Sequence, residues 1–371
     1  MIELAKMPKL GFGLMRLPEK DGQIDIEQVS RMTDAYLAAG LNYFDTAYVY
    51  HGGRSEVAAR EAIVKRHPRD SFTLATKMPI WEVRQNSDLD RLFEVQLERA
   101  GVDFYDFYLL HAIAEDKYDQ YEKYDAFSWG LKKKEEGSIR HFGFSFHGTP
   151  GLLEQILDKH PEVEFVQIQL NYLDWTNPGV SSQKLYEILS ERNIPIIVME
   201  PVKGGTLAAP APAVMEKFRS MRPDATAASW ALRFVGSLPG VATILSGMSN
   251  EEQMRDNLKT FTGFEPLSDE ERKLINEVTQ DILSVPQIGC TACRYCCDGC
   301  PQSINIPEIF RMVNSLRREP GDARILQGYR ELITQSGKAG DCIGCGQCEG
   351  VCPQHLPIIE LMREASELLD K

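Results

Sequence analysis

The first two thirds of the chain alternate short apolar runs with stretches whose apolar residues recur at helical spacing. Eight apolar runs have the length and composition of β-strands: residues 9–13, 42–47, 72–77, 104–111, 139–145, 164–170, 195–200 and 240–247. Several are almost continuously apolar, as parallel strands covered by helices on both faces should be. The intervening stretches predict amphipathic helices, of which the clearest are residues 25–40, 55–67, 89–101 and 181–193.

Strands that each lead into a helical segment predict an α/β fold, and eight of them predict a closed (β/α)8 TIM barrel. The alternative is an open, doubly wound parallel sheet, which also alternates strands and helices. Such sheets often carry a Gly-x-Gly-x-x-Gly turn between the first strand and the first helix. No such turn follows residues 9–13, so we expect the barrel.

The charge and the apolar content of the chain argue against nucleic acid and membranes as binding partners. The 371 residues carry a net charge of −13 at pH 7. An acidic chain is a poor match for nucleic acid or an anionic membrane, and no apolar run approaches the roughly 20 residues that span a bilayer. The first residues lack the apolar segment of a signal peptide. We expect a cytoplasmic protein that has no nucleic-acid or membrane partner.

All nine cysteines fall in the last quarter of the chain. Eight form two runs of the pattern Cys-x2-Cys-x2-Cys-x3-Cys-Pro: Cys290, Cys293, Cys296 and Cys300, then Cys342, Cys345, Cys348 and Cys352. Three thiolates at this spacing suit three irons of one cubane, and the fourth iron needs a ligand from further away. Structural zinc and disulfides are the alternatives, but zinc sites usually use two separated pairs of ligands, and the count of cysteines is odd.

The two runs resemble those of bacterial two-[4Fe-4S] ferredoxin domains, apart from an insert of about forty residues between them. The resemblance implies two [4Fe-4S] clusters, in which the fourth cysteine of each run binds the other cluster. One cluster would take Cys290, Cys293, Cys296 and Cys352. The other would take Cys300, Cys342, Cys345 and Cys348. Cys297 is left over, either as a substitute for Cys296 or as a buried free thiol.

Two domains are therefore expected. The barrel would span residues 1–283, and a small α-rich, ferredoxin-like iron–sulfur domain would span residues 284–371. In the second domain the pattern predicts helices at residues 307–319 and 356–369, on either side of the second cysteine run.

Four polar residues stand at or just after the ends of predicted strands: Asp45, Tyr50, Lys77 and His111. Catalytic groups of (β/α)8 barrels gather at the carboxyl ends of the strands. Each residue alone also has an ordinary explanation, such as helix capping by Asp45 or a hydrogen-bonded core position for His111. Together, at the ends of three successive strands, they predict an active site.

The segments that carry these residues, YFDTAYVYHGGRSE, TLATKMP and FYLLHAI, resemble the catalytic-tetrad regions of the aldo-keto reductases. LGFGLMRLP, HFGFSFH, VQIQLNY, VMEPVKGG and ILSGMSNEEQMRDNL extend the resemblance over about residues 5–260. It implies reduction of an aldehyde or ketone by a nicotinamide cofactor, or the reverse reaction. Tyr50 would donate the proton, and the neighbouring Lys77 would favour its phenolate. Asp45 would hold Lys77, and His111 would orient the substrate carbonyl.

The same resemblance implies the residues that bind the cofactor, NADP or NAD. They are Gly13, Leu14, Met15, Ser145, Gln169, Met199, Gly247, Ser249, Gln253, Asp256 and Asn257. Gly247 and Gln253 stand where the family often has basic residues for the 2′-phosphate, so charge-assisted contacts are lost there. We therefore expect a weaker preference for NADPH than is usual, with NADH also used.

Trp81, Phe146 and Trp175 are expected to line the pocket for a small carbonyl or alcohol substrate. Nicotinamides pass hydride, whereas iron–sulfur clusters pass single electrons, and no flavin motif joins the two chemistries. The clusters could be structural, could regulate a reductase through their loss in oxygen, or could exchange electrons with a substrate or a redox partner protein. The alternative function is a cluster-driven one-electron redox enzyme or electron-transfer protein that uses the barrel as a substrate holder.

Overall fold

A computed structural model of the protein describes residue 4 and residues 7–370. They form two compact units: the described residues up to Pro201 together with Ser229–Leu267, and Val202–Ala228 together with the described residues from Ser268 onward. No helix among these residues is both long enough and apolar enough to cross a bilayer. The domain boundary expected between residues 283 and 284 stays a prediction.

The first unit holds a closed barrel of eight parallel strands. The strands are β1 (Leu10–Gly13), β2 (Tyr43–Asp45), β3 (Thr73–Met78), β4 (Tyr105–Ile113), β5 (Ile139–Phe146), β6 (Val166–Gln169), β7 (Ile196–Met199) and β8 (Val241–Ser246). Each strand pairs with the next along the chain, and β8 pairs with β1 to close the barrel. The predicted (β/α)8 barrel is confirmed, and each expected strand is found.

Ten helices follow or connect these strands. They are α1 (Ile26–Ala38), α2 (Ser55–Ala59, continued by a π-helical turn, Arg60–Val64), α3 (Ser87–Ala100), α4 (Glu115–Lys123), α5 (Ala126–Glu135), α6 (Pro150–Lys159), α7 (Ser182–Glu191), α8 (Pro212–Met221), α9 (Ala227–Gly236) and α10 (Glu251–Thr262). Local sequence sets several ends: Thr149 caps α6, Asn250 caps α10, and Gly101 ends α3 in the left-handed conformation.

Shorter elements complete the first unit. A two-stranded hairpin joins Glu19–Lys20 to Gln23–Ile24. Single turns of 3₁₀ helix lie at Leu14–Arg16, Tyr50–Gly53, Arg69–Ser71 and Ile80–Glu82. Inside the barrel, buried rings such as Tyr43, Phe107 and Phe165 pack with Leu109 and Ile197. The barrel is therefore a filled core, and its closed sheet leaves no edge strand.

A bulge interrupts the pairing of β4 with β5 near their carboxyl ends. Leu110 pairs with Phe144 and Ile113 with Phe146, so His111 and Ala112 together face Ser145. Ala112 has φ of +56°, and its backbone N–H donates to Ser145 Oγ at 2.7 Å. Bulges re-aim side chains next to active sites, and this one sets the direction of His111.

The second unit is built from helices. Besides α8 it holds α11 (Asp269–Leu283), α12 (Tyr295–Asp298), α13 (Ile306–Arg318), α14 (Ala323–Leu332), α15 (Gln347–Gly350) and α16 (Ile358–Leu369). Turns of 3₁₀ helix lie at Lys203–Gly205 and Ala339–Asp341. The helices predicted at residues 307–319 and 356–369 are confirmed as α13 and α16, whereas α14 was not anticipated. The expectation of a small α-rich module is confirmed.

Candidate active site and iron–sulfur site

Asp45, Tyr50, Lys77 and His111 come together in the first unit, at the carboxyl ends of neighbouring strands. β2 ends at Asp45, Lys77 is the penultimate residue of β3, and His111 stands in the bulge of β4. Tyr50 begins the 3₁₀ turn that follows β2. All four side chains are more than nine-tenths buried. The structure therefore assembles the four residues that the strand ends predicted.

Lys77 Nζ is the centre of the group. It donates to Asp45 Oδ1 at 2.6 Å, to the Thr46 carbonyl oxygen at 2.7 Å and to Tyr50 OH at 3.2 Å. The same nitrogen lies 4.8 Å from the centroid of the Tyr50 ring. An ammonium this close to a phenol oxygen favours negative charge on that oxygen.

Burial and pairing act in opposite directions on Lys77 and Asp45. Burial lowers the pKa of Lys77, while the charges of Asp45 and Glu56 oppose that shift. Burial also raises the pKa of Asp45, against the attraction of Lys77. Both shifts favour the neutral forms, so the 2.6 Å contact is what supports the charged pair in this dry site. Removal of either partner would leave an uncompensated buried group.

His111 is placed to meet a ligand. Its ring lies edge-on to Tyr50, with 6.0 Å between centroids, and 5.2 Å from the Trp81 ring. Its Nδ1 is buried and has no hydrogen-bond partner among residue 4 and residues 7–370. Burial, reinforced by the nearby Lys77 charge, holds the pKa of His111 well below its usual value. The imidazole is therefore neutral near pH 7 and has a ring nitrogen available for hydrogen bonding.

The residues expected to line the substrate pocket lie in different surroundings. Trp81 packs against the His111 ring, as described above. Phe146 is 1% exposed and lies 6.0 Å from the Phe144 ring. Trp175 packs against the rings of Tyr186 and Phe234, at 5.5 and 5.6 Å. Trp81 is thus brought to the tetrad, and the roles of Phe146 and Trp175 stay predictions.

The residues expected to bind the cofactor lie at strand ends and in the segments that follow. Gly13 ends β1, Leu14 and Met15 form the next turn, Ser145 lies on β5, Gln169 ends β6, Met199 ends β7, Gly247 and Ser249 follow β8, and Gln253, Asp256 and Asn257 lie on α10. Carboxyl ends of barrel strands are where such ligands bind. The cofactor-binding role of these residues stays a prediction.

Three polar residues of this set, Ser145, Gln169 and Asn257, are buried and are oriented by the protein. Ser145 Oγ accepts from Ala112 N, and Gln169 Nε2 donates to Asp174 Oδ2 at 2.8 Å. Asn257 Nδ2 donates to Ser246 Oγ at 2.6 Å. A buried hydroxyl and side-chain amides are donors and acceptors of the kind that a carboxamide and an adenine require, so this donor set fits a nicotinamide dinucleotide.

In the second unit the eight motif cysteines line two cavities. Cys290, Cys293, Cys296 and Cys352 line the first cavity. Cys300, Cys342, Cys345 and Cys348 line the second. Each cavity therefore takes three thiols from one run and the fourth from the other run, as the ferredoxin resemblance implied. Cys297 is not among the described residues that line either cavity.

The arrangement of the thiols bears on which metal group each cavity could hold. Among the described residues, no three His, Cys, Asp or Glu side chains converge on one metal position. A tetrahedral zinc site requires four ligands on one ion, whereas each iron of a cubane takes one protein thiolate. Four thiols around a cavity whose lining also includes apolar residues such as Ile306 and Phe310 fit the cubane.

Two known protein families match this chain, one over the barrel region and one over the cysteine region. Residues 9–280 match the family described as "Aldo/keto reductase family", and residues 289–356 match the one described as "4Fe-4S dicluster domain". The chain belongs to the aldo/keto reductase family. Its predicted membership is therefore confirmed.

Similar proteins come from several bacteria. YqkF of Bacillus subtilis (strain 168), an uncharacterized oxidoreductase, is 26% identical over an alignment of 307 positions, which covers 74% of this chain and 94% of YqkF. Aldo-keto reductase AKR11C1 from Bacillus halodurans, solved in its holo form, is 25% identical with a TM-score of 0.59 over 73% of this chain and 91% of that one. A Klebsiella pneumoniae aldo/keto reductase, solved with NADP and acetate, shares the fold at 21% identity and a TM-score of 0.62, covering 74% and 92%.

In this aldo/keto reductase family member, a buried network behind Lys77 was missed by sequence reasoning. Gln96 Nε2 donates to the Lys77 carbonyl oxygen at 3.0 Å and to Glu56 Oε1 at 2.9 Å. Thr76 Oγ1 also donates to Glu56 Oε1, at 2.7 Å. Burial raises the pKa of Glu56, which is fully covered. The sequence feature that could have indicated this network is the presence of two polar residues, Glu56 and Gln96, on the apolar faces of α2 and α3.

Proposed function

We propose that the protein reduces an aldehyde or ketone to an alcohol, or catalyses the reverse, with NADP or NAD as the hydride carrier. The observation that carries this proposal is the 3.2 Å contact of Lys77 Nζ with Tyr50 OH, inside a buried group that also contains Asp45 and His111. A phenol supported by an ammonium is a proton donor and acceptor suited to carbonyl chemistry. The Klebsiella pneumoniae aldo/keto reductase that shares this fold was solved with NADP, which supports the choice of cofactor.

Each residue of the tetrad has a separate task. Tyr50 OH gives its proton to the carbonyl oxygen as that oxygen becomes an alkoxide, and Lys77 stabilises the phenolate that remains. Asp45 fixes Lys77 in place. His111, neutral at pH 7, hydrogen-bonds the carbonyl oxygen and orients it. All four side chains are buried, so little water screens these contacts, which strengthens them.

A bound nicotinamide supplies the hydride that no side chain can donate. Ser145 and Gln169 would hold its carboxamide, Met199 would pack against its ring, and Asn257 and Asp256 would hold the adenine end. Gly247 and Gln253 carry no charge for a 2′-phosphate. Gln253 Oε1 instead accepts from Ser249 N at 2.8 Å. The preference for NADPH should therefore be weaker than is usual in the family, and NADH should also serve.

The cysteine module is proposed to hold two [4Fe-4S] clusters. Cys290, Cys293, Cys296 and Cys352 would bind one, and Cys300, Cys342, Cys345 and Cys348 would bind the other. Such clusters supply one-electron transfer. The two cavities with four thiols each support this assignment. Thiolate ligands favour a reducing compartment, which supports a cytoplasmic location.

The test is anaerobic turnover of the purified holoprotein with NADPH or NADH and a panel of small aldehydes and ketones. Tyr50→Phe should lower kcat/KM by roughly 100-fold or more, because it removes the proton donor and keeps the ring. Cofactor binding, measured by fluorescence titration, should persist in this variant. Near wild-type turnover by Tyr50→Phe would disprove the assignment of Tyr50 as the proton donor.

Tyr43→Phe is the matched control. Tyr43 lies on β2 two residues before Asp45, is fully buried, and its hydroxyl has no hydrogen-bond partner within the described part of the chain. Removal of that hydroxyl should leave kcat/KM unchanged. A large loss in both variants would point to damage of the barrel rather than to a lost proton donor.

A further inference from the structure

A segment that matches the reductase family belongs structurally to the cysteine module. Val202–Ala228 lies within residues 9–280, yet it forms one compact unit with the described residues from Ser268 onward. Its first turn, Lys203–Gly205, has three successive positive φ angles, of 49°, 61° and 97°. Such backbone is costly for a residue with a side chain such as Lys203 and persists only where the surroundings require it.

This turn packs directly on the first cysteine loop. A Cβ on Gly204 would lie 2.2 Å from the Thr291 carbonyl oxygen, so only glycine allows the two backbones to approach this closely. Thr291 is 2% exposed and stands between Cys290 and Cys293. The segment therefore forms part of the wall around the first cluster ligands.

Lys203 brings a buried positive charge to the same place. Lys203 is 5% exposed. Its Nζ lies 3.9 Å from the position that a Cβ atom would take if Gly289 carried a side chain. Gly289 immediately precedes Cys290. The ammonium is thus held beside the first ligand of one cavity, where little water screens it.

The two cavities differ in the charges around them. Arg294 lines the first cavity, although its side chain and that of nearby Asp298 are exposed, so the effects of both are screened. No Asp, Glu, Lys or Arg is found among the described residues that line the second cavity. Next to that cavity, Glu349 Oε1 accepts from Ile359 N at 2.8 Å, which places a negative charge there. The buried cation Lys203 therefore lies next to the first cysteine loop, and Arg294 is the one Asp, Glu, Lys or Arg among the described residues that line the two cavities.

Reduction of a cluster adds one negative charge, so a nearby cation favours the reduced form and a nearby anion opposes it. We propose that Lys203, assisted by Arg294, raises the reduction potential of the cluster bound by Cys290, Cys293, Cys296 and Cys352 above that of the other cluster. An electron entering the module then rests on this first cluster. The inference depends on the proposed presence of two clusters, and it does not depend on carbonyl reduction.

The two cavities are close enough to exchange that electron. Ile306 and Ile358 line both of them, so a single layer of side chains separates the two sets of thiols. Both isoleucines are buried, at 3% and 1% exposure. The second cavity includes Cys345, which is exposed to solvent, and Ile343, which is 63% exposed. Electrons would enter at the second cluster and settle on the first.

The experiment is a redox titration of anaerobic holoprotein, followed by electron paramagnetic resonance, with iron and sulfide counted in every sample. Lys203→Met should lower one of the two midpoint potentials by about 59 mV or more, which is a tenfold loss of electron affinity for a one-electron couple. Lys203→Arg should keep the wild-type value. The exposed Lys338, four residues before Cys342, supplies the control, and Lys338→Met should move neither midpoint by that amount.

If Lys203→Met fails to retain its clusters, two further variants test the same inference. Arg294→Gln should lower the same midpoint by a smaller amount, and Glu349→Gln should raise the other midpoint. Unchanged midpoints in Lys203→Met, or in Arg294→Gln where Lys203→Met loses its clusters, or an equal shift of both midpoints, would overturn the inference. A wild-type iron count short of two clusters would overturn the cluster assignment itself, and carbonyl turnover would be unaffected by either result.

Discussion

The tetrad and the cysteine module are sites of two kinds in one chain. In the barrel, Lys77 finds all three of its hydrogen-bond acceptors among protein atoms. In the module, the thiols face two cavities, and Cys290, Cys300 and Cys342 are themselves part of the packing around its apolar core. The difference is that protein atoms alone hold the tetrad in place, whereas the thiols of the module surround cavities in which the proposed clusters would bind.

The largest effect is expected from substitution of Lys77, whose ammonium is at the centre of the tetrad. Lys77→Met should lower kcat/KM by roughly 100-fold or more, because the Tyr50 phenolate loses its cation. It should also lower the free energy of unfolding by about 3–5 kcal/mol, because Asp45 is left buried without a partner. Steady-state kinetics and denaturant titration measure the two effects.

The double variant Lys77→Met with Asp45→Asn separates the two effects. It removes the uncompensated carboxylate, so stability should recover in part while activity stays low. Recovery of activity together with stability would mean that Lys77 acts only by holding the fold.

The module should respond to a different kind of change, the loss of one ligand. Cys352→Ser should remove or destabilise the cluster of the first cavity, so the iron content should fall to about half, since each cluster holds half of the iron. Cys297→Ser should keep all of the iron, because Cys297 is outside both cavity linings. Equal iron loss in both variants would require a different ligand set.

The next prediction concerns the preference of the barrel site for NADPH over NADH. Gly247 and Gln253 supply no positive charge, so the dissociation constants of NADPH and NADH should differ by less than about 100-fold, a gap that corresponds to two charge-assisted hydrogen bonds. Isothermal titration of both cofactors measures the ratio. NADPH binding a hundredfold tighter would show that another cation, such as Arg255, reaches the 2′-phosphate.

A smaller effect is expected from the network behind Lys77. Glu56 opposes the fall in the pKa of Lys77, so Glu56→Gln should let Lys77 lose its proton at lower pH. The alkaline limb of the kcat profile should then move to lower pH, with a modest loss of activity at neutral pH. Glu61→Gln, on the exposed side of the following turn, is the control and should leave the profile in place.

The last prediction is that His111 does not change its protonation state between pH 6 and 8. The pKa of His111 lies well below its usual value because the ring is buried near Lys77, so its resonance should not shift between pH 6 and 8. The imidazole then stays neutral through this range, and the pH profile of kcat/KM should show no inflection from it. Nuclear magnetic resonance of labelled histidine, assigned with His111→Gln, measures this. A midpoint near pH 6.5 would contradict the buried, neutral assignment.

Much of this architecture could be predicted from local pattern. Continuous apolar runs predicted the eight strands, and the position of Asp45, Lys77 and His111 at strand ends predicted that they would meet, because parallel strands bring their carboxyl ends to one face. The cysteine spacing predicted the exchange of the fourth ligand, and the cavity that contains Cys352 with the first run is consistent with it.

Features that arise between distant segments could not be predicted in this way. The bulge at Ala112 depends on the register of β4 against β5, and the pairing of Glu56 with Gln96 depends on how α2 and α3 pack. The membership of Val202–Ala228 in the module depends on contacts with a loop nearly ninety residues later. None of these leaves a periodic signal in its own stretch of sequence.

The most direct measurement follows the hydrogen that reaches the carbonyl carbon. Anaerobic holoprotein would be given an aldehyde and NADPH or NADH deuterated at the transferred position, and the alcohol would be analysed by mass spectrometry. Direct hydride transfer at the Tyr50 site predicts one deuterium on the carbinol carbon of each product molecule. An alcohol without deuterium would show that electrons travel through the clusters with protons from water, and would contradict the reductase assignment.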